Sequence, residues 1–237
     1  MNKSKFSKLQ RESYTRLASN FDCFQRRENR NHLNKIKAIS SFLNVNEGDN
    51  VLEIGVGTGI HANYFLKLNN FNFNFIGIDL SYDMLIESKK KLMGFDNVTL
   101  KQMDGENLHF KNETFDKVYI SGSLHHFFDL SLGIFEMIRV LKKGGKFCIM
   151  EPNYIFPTNF YVSHNKIEEK NMRWIVKKNF IESFRKCKIN NYSIYNFAYT
   201  PPYPKFFIPM YDRIDKILSK IPVINKFSIM IFICGEK

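Results

Sequence analysis

Glu53 stands two residues before the first of three alternating glycines, Gly55, Gly57 and Gly59, in the run VLEIGVGTG that starts at Val51. Asp79 follows about twenty residues further on, a spacing that marks a nucleoside-binding loop between strand and helix. The glycines let the backbone turn sharply beneath a ligand, because a side chain at Gly55 or Gly57 would occupy the ligand's space. The helix that follows aims its N-terminal N–H groups at an anionic group such as a carboxylate. Asp79 ends a second apolar run, where a carboxylate accepts from both hydroxyls of a ribose; Ser81 and a helix come next, so an N-cap is its alternative role. Glu53 is the unusual member. A carboxylate at that point repels the pyrophosphate of a dinucleotide and attracts a cation. These residues suit a nucleoside that carries positive charge.

S-adenosylmethionine is such a nucleoside, since its ammonium and its sulfonium are both positive. Three further segments follow in order, IDLSYDML from Ile78, MDGENLHF from Met103 and RVLKKGG from Arg139. Together with the glycine loop they resemble the class I S-adenosylmethionine-dependent methyltransferases, of the small-molecule type, from about Val51 through Pro152. The resemblance implies that Glu53 takes the cofactor's ammonium, directly or through water, and that Asp79 takes the ribose. It implies that Asp104 accepts from the adenine amino group while the amides of Gly105 and Glu106 meet the ring nitrogens; a turn aspartate is the alternative. Leu80 and Met84 would wall the adenosine, although Met84 serves equally as core, and Ser121 would touch the cofactor. Tyr14, Ala18 and Phe21 resemble the Y-x-x-x-A helix that closes over the cofactor in many such enzymes, with core packing of an amphipathic helix as the rival.

Leu124, His125 and His126 resemble the family's common L-H-H. His125 could act as a general base, since an imidazole titrates near neutrality. A structural histidine beneath the cofactor loop is the reading we favour, because nothing in the sequence orients the ring. No third ligand stands at a metal-binding spacing from the pair, so no metal is expected. Glu151 and Asn153 end the fifth strand on the side where the family binds its acceptor, and His164 follows; these are acceptor-side candidates, or polar ends of a buried strand. His109 and Lys143 stand where the family often has proline.

Positioning these residues requires an alternating chain. Helical patterns span Ser4 to Phe21 and Glu28 to Leu43. Strands are expected at Asn50 to Ile54, Asn74 to Ile78, Val98 to Lys101, Phe115 to Ile120 and Lys146 to Met150, with helices between them. Ser81 caps a helix holding Met84, Leu85 and Leu92 on one face, and Gly144-Gly145 closes the helix through Ile138 and Leu141. Such alternation implies an α/β fold, a doubly wound and mostly parallel sheet with ligands outside the carboxyl ends of its strands. Tyr192 to Phe197 and Ser228 to Cys234 complete a seven-stranded sheet as the antiparallel C-terminal pair the resemblance implies. We divide a single domain, 1–237, into an N-terminal helical cap (1–49), a cofactor-binding half (50–152) and an acceptor-side half (153–237). Aromatic stretches at Tyr154 to Tyr161 and Tyr199 to Phe207 are candidates for lining an apolar acceptor pocket.

Bulk properties bound the function. The chain has 237 residues, 44% of them hydrophobic, enough for one well-filled core. No apolar run suggests export or a membrane span, and Cys23, Cys148, Cys187 and Cys234 lack metal or disulfide spacing, which together point to the cytoplasm. The net charge of +12 accompanies many Asn, Ile and Phe, so we read it as compositional; Arg26, Arg27 and Arg30 with Lys35 and Lys37 form the densest basic patch. The expected function is methyl transfer to a small-molecule or lipid-like acceptor, at oxygen in preference to nitrogen or carbon. An RNA methyltransferase using the basic patch is the alternative, and so is a non-catalytic binding subunit. The fourth strand ends in Ser121-Gly122-Ser123, which lacks the Asn-Pro-Pro-aromatic motif of many base-methylating enzymes.

Overall fold

The computed structural model of the chain describes residues 2–25, 29–197, 208–218, 220–221 and 226–237. Seven apolar segments form one sheet: β1 (Asn50–Ile54), β2 (Asn74–Asp79), β3 (Val98–Gln102), β4 (Phe115–Ser121), β5 (Leu141–Pro152), β6 (Tyr192–Phe197) and β7 (Met230–Glu236). The strand order is β3-β2-β1-β4-β5-β7-β6. The first five strands are parallel, β7 runs antiparallel to β5, and β6 runs antiparallel to β7. The doubly wound fold and its antiparallel end pair are as the sequence implied.

Alternation along the strands makes two cores. Leu52, Ile54, Val118, Ile120, Phe147 and Ile149 bury one face against Ile134 and Met137 of α5 (Leu130–Val140) and Phe180 and Phe184 of α7 (Lys177–Lys186). Val51, Phe75, Tyr119, Cys148 and Met150 bury the other against α2 (Asn29–Leu43), α3 (Ile60–Leu68) and α4 (Tyr82–Leu92). Each such side chain contributes about 1.5–3 kcal/mol on full burial. The α4 helix starts where expected, with Ser81 Oγ accepting from Met84 N, and buries Met84, Leu85 and Leu92. The remaining helices are α1 (Lys3–Gln25), α6 (Pro157–Asn165) and α8 (Ile208–Leu218).

Several boundaries differ from expectation, and two of them have a local cause. Gly144-Gly145 does not close a helix: α5 ends at Val140 and β5 begins at once. Between Leu141 and Lys146 the pairing with β4 shifts register, and Gly144, at φ +71°, lies in that irregularity with its N–H donating to Lys237 O. The glycine supplies the left-handed residue of a bulge. The last strand starts at Met230 instead of Ser228, because Ser228 Oγ turns to donate to Met230 O and Asn153 Nδ2 donates to Ser228 O.

Strand order reverses direction between β1 and β4, which opens a crevice outside the carboxyl ends of those strands. No helix among the described residues is long and apolar enough to cross a membrane.

Candidate active site

A cavity of about 740 Å³ occupies that crevice, with Gly55, Gly57, Asp79, Asp104, Ser121 and His125 on its walls. The strand ends bring the carboxylates to the loops. Asp79 Oδ2 accepts from Gly57 N at 2.9 Å and Oδ1 from Ser81 N at 2.8 Å, so the expected ribose ligand also fixes the glycine loop. Burial raises its pKa, while those amides pull the other way. Asp104 Oδ1 accepts from Glu106 N at 2.9 Å, forming the turn that was its alternative role, and still lines the cavity with Gly105 and Glu106. Leu80 and Met84 line it too.

The glycines divide their tasks. A Cβ at Gly57, where φ is +55°, would meet no protein atom within 4 Å and would point into open cavity. At Gly55 it would strike Ser123 Oγ, and at Gly59 it would strike Ser88. Gly55 therefore lets the loop approach the β4 end, which differs from the ligand-space role assigned to it from sequence. Gly59 precedes α3 and is absent from the cavity wall.

Glu53 lies wholly buried behind the loop, not on the wall. Tyr119 Oη donates to its Oε2 at 2.8 Å, and Oε1 has no hydrogen-bond partner among the described residues. Burial raises its pKa to about 8, against the Tyr119 hydrogen bond and with help from Asp79. Ser121 Oγ is a second buried polar atom without a partner, and it does reach the wall. These features fit S-adenosylmethionine: open space over Gly57, a buried carboxylate behind the loop whose charge favours an ammonium, and carboxylates at the ends of β2 and β3.

A chain of imidazoles and carboxylates forms the opposite wall. Glu151 Oε1 accepts from Ser123 N and Leu124 N, at 2.9 and 2.8 Å, and its Oε2 lies 2.6 Å from His125 Nδ1. His125 Nε2 lies 3.2 Å from Glu169 Oε2. Burial alone would lower the His125 pKa, but the two carboxylates raise it to about 10. Glu169, which burial would raise, is held at about 2 by the His125 cation. Both His125 nitrogens thus face carboxylates, which favour the imidazolium over the neutral ring.

His126 is its opposite. Burial and the adjacent His125 lower its pKa to about 3, and its Nε2 lies 2.6 Å from Tyr14 Oη. Tyr14 thereby ties α1 over the cavity. Other ties run the length of the helix: Lys3 Nζ lies 3.2 Å from Asp104 Oδ2 and 3.3 Å from Glu106 Oε2, Gln10 Nε2 donates to Glu168 O at 2.8 Å, and Thr15 Oγ1 donates to Asp83 Oδ2 at 2.6 Å. The lid-like segment covers the site, while Ala18 is buried as core.

The acceptor-side candidates fare differently. Glu151 is consumed by the backbone amides and His125, and is fully buried away from the cavity. Asn153 donates to Lys226 O and Ser228 O and accepts from Ile155 N, a structural tie between β5 and the last turn. His164 lies exposed on α6, its Nδ1 2.8 Å from Phe160 O, also off the wall. In their place the wall uses Gln10, Tyr14, His126, Glu169 and Met172. Glu169 also gives the histidine pair a third group, all within 4.8 Å, from a segment no local spacing could connect to it. Tyr154 to Tyr161 contributes Phe156, Thr158 and Asn159 to the wall. Tyr199 to Phe207 lies outside the described residues, as do Arg26 and Arg27; Lys35 of the basic patch lines the cavity.

A family model described as a methyltransferase domain matches residues 45–197, well over half of the chain. The chain belongs to the S-adenosylmethionine-dependent methyltransferase family. This methyltransferase is 38% identical over 106 residues to a phosphatidylethanolamine N-methyltransferase of Cereibacter sphaeroides, covering 44% of this chain and 50% of that protein. It is 32% identical over 108 residues to the ubiquinone/menaquinone biosynthesis C-methyltransferase UbiE of Geobacter sulfurreducens, covering 44% and 42%. The matches thus span about half the length of these curated relatives. Among solved structures, a Thermotoga maritima methyltransferase described as a possible histamine N-methyltransferase superposes with a TM-score of 0.69 at 19% identity, covering 94% of this chain and 98% of that one. Haemonchus contortus phosphoethanolamine N-methyltransferase 2, in complex with S-adenosyl-L-methionine, gives 0.62 at 21% identity, covering 86% and 52%. At these identities the structures establish the fold of the methyltransferase.

Proposed function

We propose that the chain transfers a methyl group from S-adenosylmethionine to a small-molecule or lipid-like acceptor. The observation that carries this reading is the cavity that joins Gly57, Asp79 and Asp104 on one wall to Tyr14, His126 and Glu169 on the other. Bound there, S-adenosylmethionine supplies a methyl group already activated on a sulfonium. Asp79 would hold the ribose and Asp104 with the amides of Gly105 and Glu106 the adenine, while Glu53, from behind the loop, would favour the ammonium by its charge. The tied α1 helix excludes water and fixes the acceptor against the cofactor wall, so that proximity and orientation carry most of the catalysis. Support for a small acceptor comes from the cavity's size, within the range of ligand pockets, and from the named relatives' substrates. Among the named relatives one methylates nitrogen and one carbon, so they lend no support to the oxygen preference read from sequence.

Production of S-adenosylhomocysteine from S-adenosylmethionine by the purified chain, dependent on an added acceptor, tests the reading. Turnover with a small lipid or amine and none with RNA is the expected result. Turnover with RNA alone would transfer the proposal to the nucleic-acid alternative.

A further inference from the structure

Going beyond that proposed function, and independently of it, we infer that α6 and the 3-10 segment Ile167–Trp174 dock the protein on a membrane surface of anionic lipid headgroups. The two elements pack on each other as a layer over the cavity. Thr158, Asn159, Val162, Glu169 and Met172 of this layer line the cavity. The other side faces solvent, yet it is apolar: Ile155, on the approach to α6, and Phe160, Tyr161, Ile167 and Trp174 are each between 47% and 67% exposed. Five of the 19 large apolar side chains exposed among the described residues thus fall within 20 consecutive positions. Exposed apolar residues are ordinary when scattered, but a concentration of them marks a surface that something covers.

Charge identifies the cover. Lys166, Lys170 and Arg173 are exposed along the same stretch, as are Lys177 and Lys178 where α7 begins. The acidic residues between positions 155 and 178 are Glu168 and Glu169, both half-buried, with Glu169 turned to His125. Five exposed basic side chains with no exposed acidic one depart from the chain as a whole, where 35 basic residues accompany 23 acidic ones. The Arg173 guanidinium lies 5.1 Å over the ring of Trp174, the chain's one tryptophan. Aromatic rings beside long basic side chains suit the headgroup layer, because the rings enter the acyl boundary while the cations stay at the phosphates.

Two other partners fit this surface less well. A protein interface is depleted of lysine at its core, and four of these five cations are lysines. A single-stranded nucleic acid stacks its bases on ring faces, and Ile155 and Ile167 offer none. Lipid accepts both the aliphatic and the aromatic side chains. Since one layer of chain separates this surface from the cavity, docking would also bring a lipid-like acceptor to the edge of the site.

Cosedimentation of the full chain with sucrose-loaded vesicles tests the inference. Vesicles of phosphatidylglycerol and phosphatidylcholine in equal parts should bind the wild type at least about tenfold more tightly than phosphatidylcholine alone, with release as salt rises. Tyr161→Ser with Trp174→Ser should remove about tenfold or more of that affinity, and so should Lys170→Glu with Arg173→Glu. Lys67→Glu with Lys111→Glu makes the same change of charge outside the layer and should remove less than about threefold. Circular dichroism first shows that each variant is folded, and the two layer variants probe the surface separately. No binding of the wild type to anionic vesicles, wild-type affinity in the folded layer variants, or an equal loss in the outside variant would overturn the inference. So would a wild-type dimer, seen by ultracentrifugation, that the layer variants dissolve without any vesicle binding. Methyl transfer without vesicle binding would strike the docking alone, and vesicle binding without methyl transfer would strike only the proposed function.

Discussion

The two walls of the cavity are built by opposite means. On the cofactor wall, carboxylates hold nearby backbone: Asp79 fixes Gly57 and Ser81, and Asp104 fixes Glu106. On the acceptor wall, side chains from distant segments hold one another. Tyr14 reaches His126 across 112 residues of sequence, and Gln10 reaches Glu168 across 158. Loop geometry on the first wall is therefore a property of a few consecutive residues. Geometry on the second exists only once the lid helix, the β4 end and the 3-10 segment have packed together.

That contrast can be broken from the cofactor side by Gly57→Val. The new side chain would enter open cavity from a left-handed backbone that a β-branched residue adopts at a cost. We expect cofactor affinity to fall by more than about a hundredfold, or roughly 2.7 kcal/mol, with the circular dichroism spectrum kept. Retained affinity would mean that the loop does not lie beneath the ligand.

From the acceptor side, His125→Ala would leave Glu151 and Glu169 without their shared cation. Removing one partner of a buried ion pair costs about 3–5 kcal/mol, so chemical denaturation should show a loss of that order while cofactor affinity changes far less. The pH dependence has a definite sign. A histidine raised from 6.5 to about 10 stabilises fully below pH 6.5, and that contribution fades as pH rises through about 10. The gap in stability between wild type and variant should narrow over that window. A gap that widened would reverse the assignment of charge to His125.

Legibility followed the same division. Gly57, Asp79 and Asp104, which line the cavity, could be placed there because each ends or follows a strand whose apolar pattern announces it. Strand patterns likewise marked the segments of the sheet, while the antiparallel pairing of the C-terminal two came from the family resemblance. Glu169 and Gln10 carried no such signal: both sit in polar helical segments that look like solvated faces, and only tertiary packing turns them inward. Glu151 misled for a related reason. A polar strand end beside the expected acceptor space looks like a ligand, yet two backbone amides and an imidazolium absorb it. Gly144 was misread because a glycine pair after a helix resembles a cap, whereas here the strand begins without any linker.

A smaller effect sharpens the cofactor wall. Glu53 titrates at about 8 in this state because it is buried, and it must be anionic to face an ammonium. Affinity for S-adenosylmethionine should therefore climb by up to about tenfold per pH unit, about 1.4 kcal/mol, between pH 6 and 8, then level off. Glu53→Gln should flatten that slope. An unchanged slope in the variant would assign the ammonium to another group.

Titration calorimetry of S-adenosylhomocysteine into the wild type and into Asp79→Ala tests the central claim most directly, because Asp79 joins the glycine loop to the ribose position. The account predicts wild-type affinity on the order of micromolar, weakened by about 1.5–3 kcal/mol, or roughly tenfold to a hundredfold, in the variant. Absence of binding by the wild type, or equal binding by the two proteins, would contradict it.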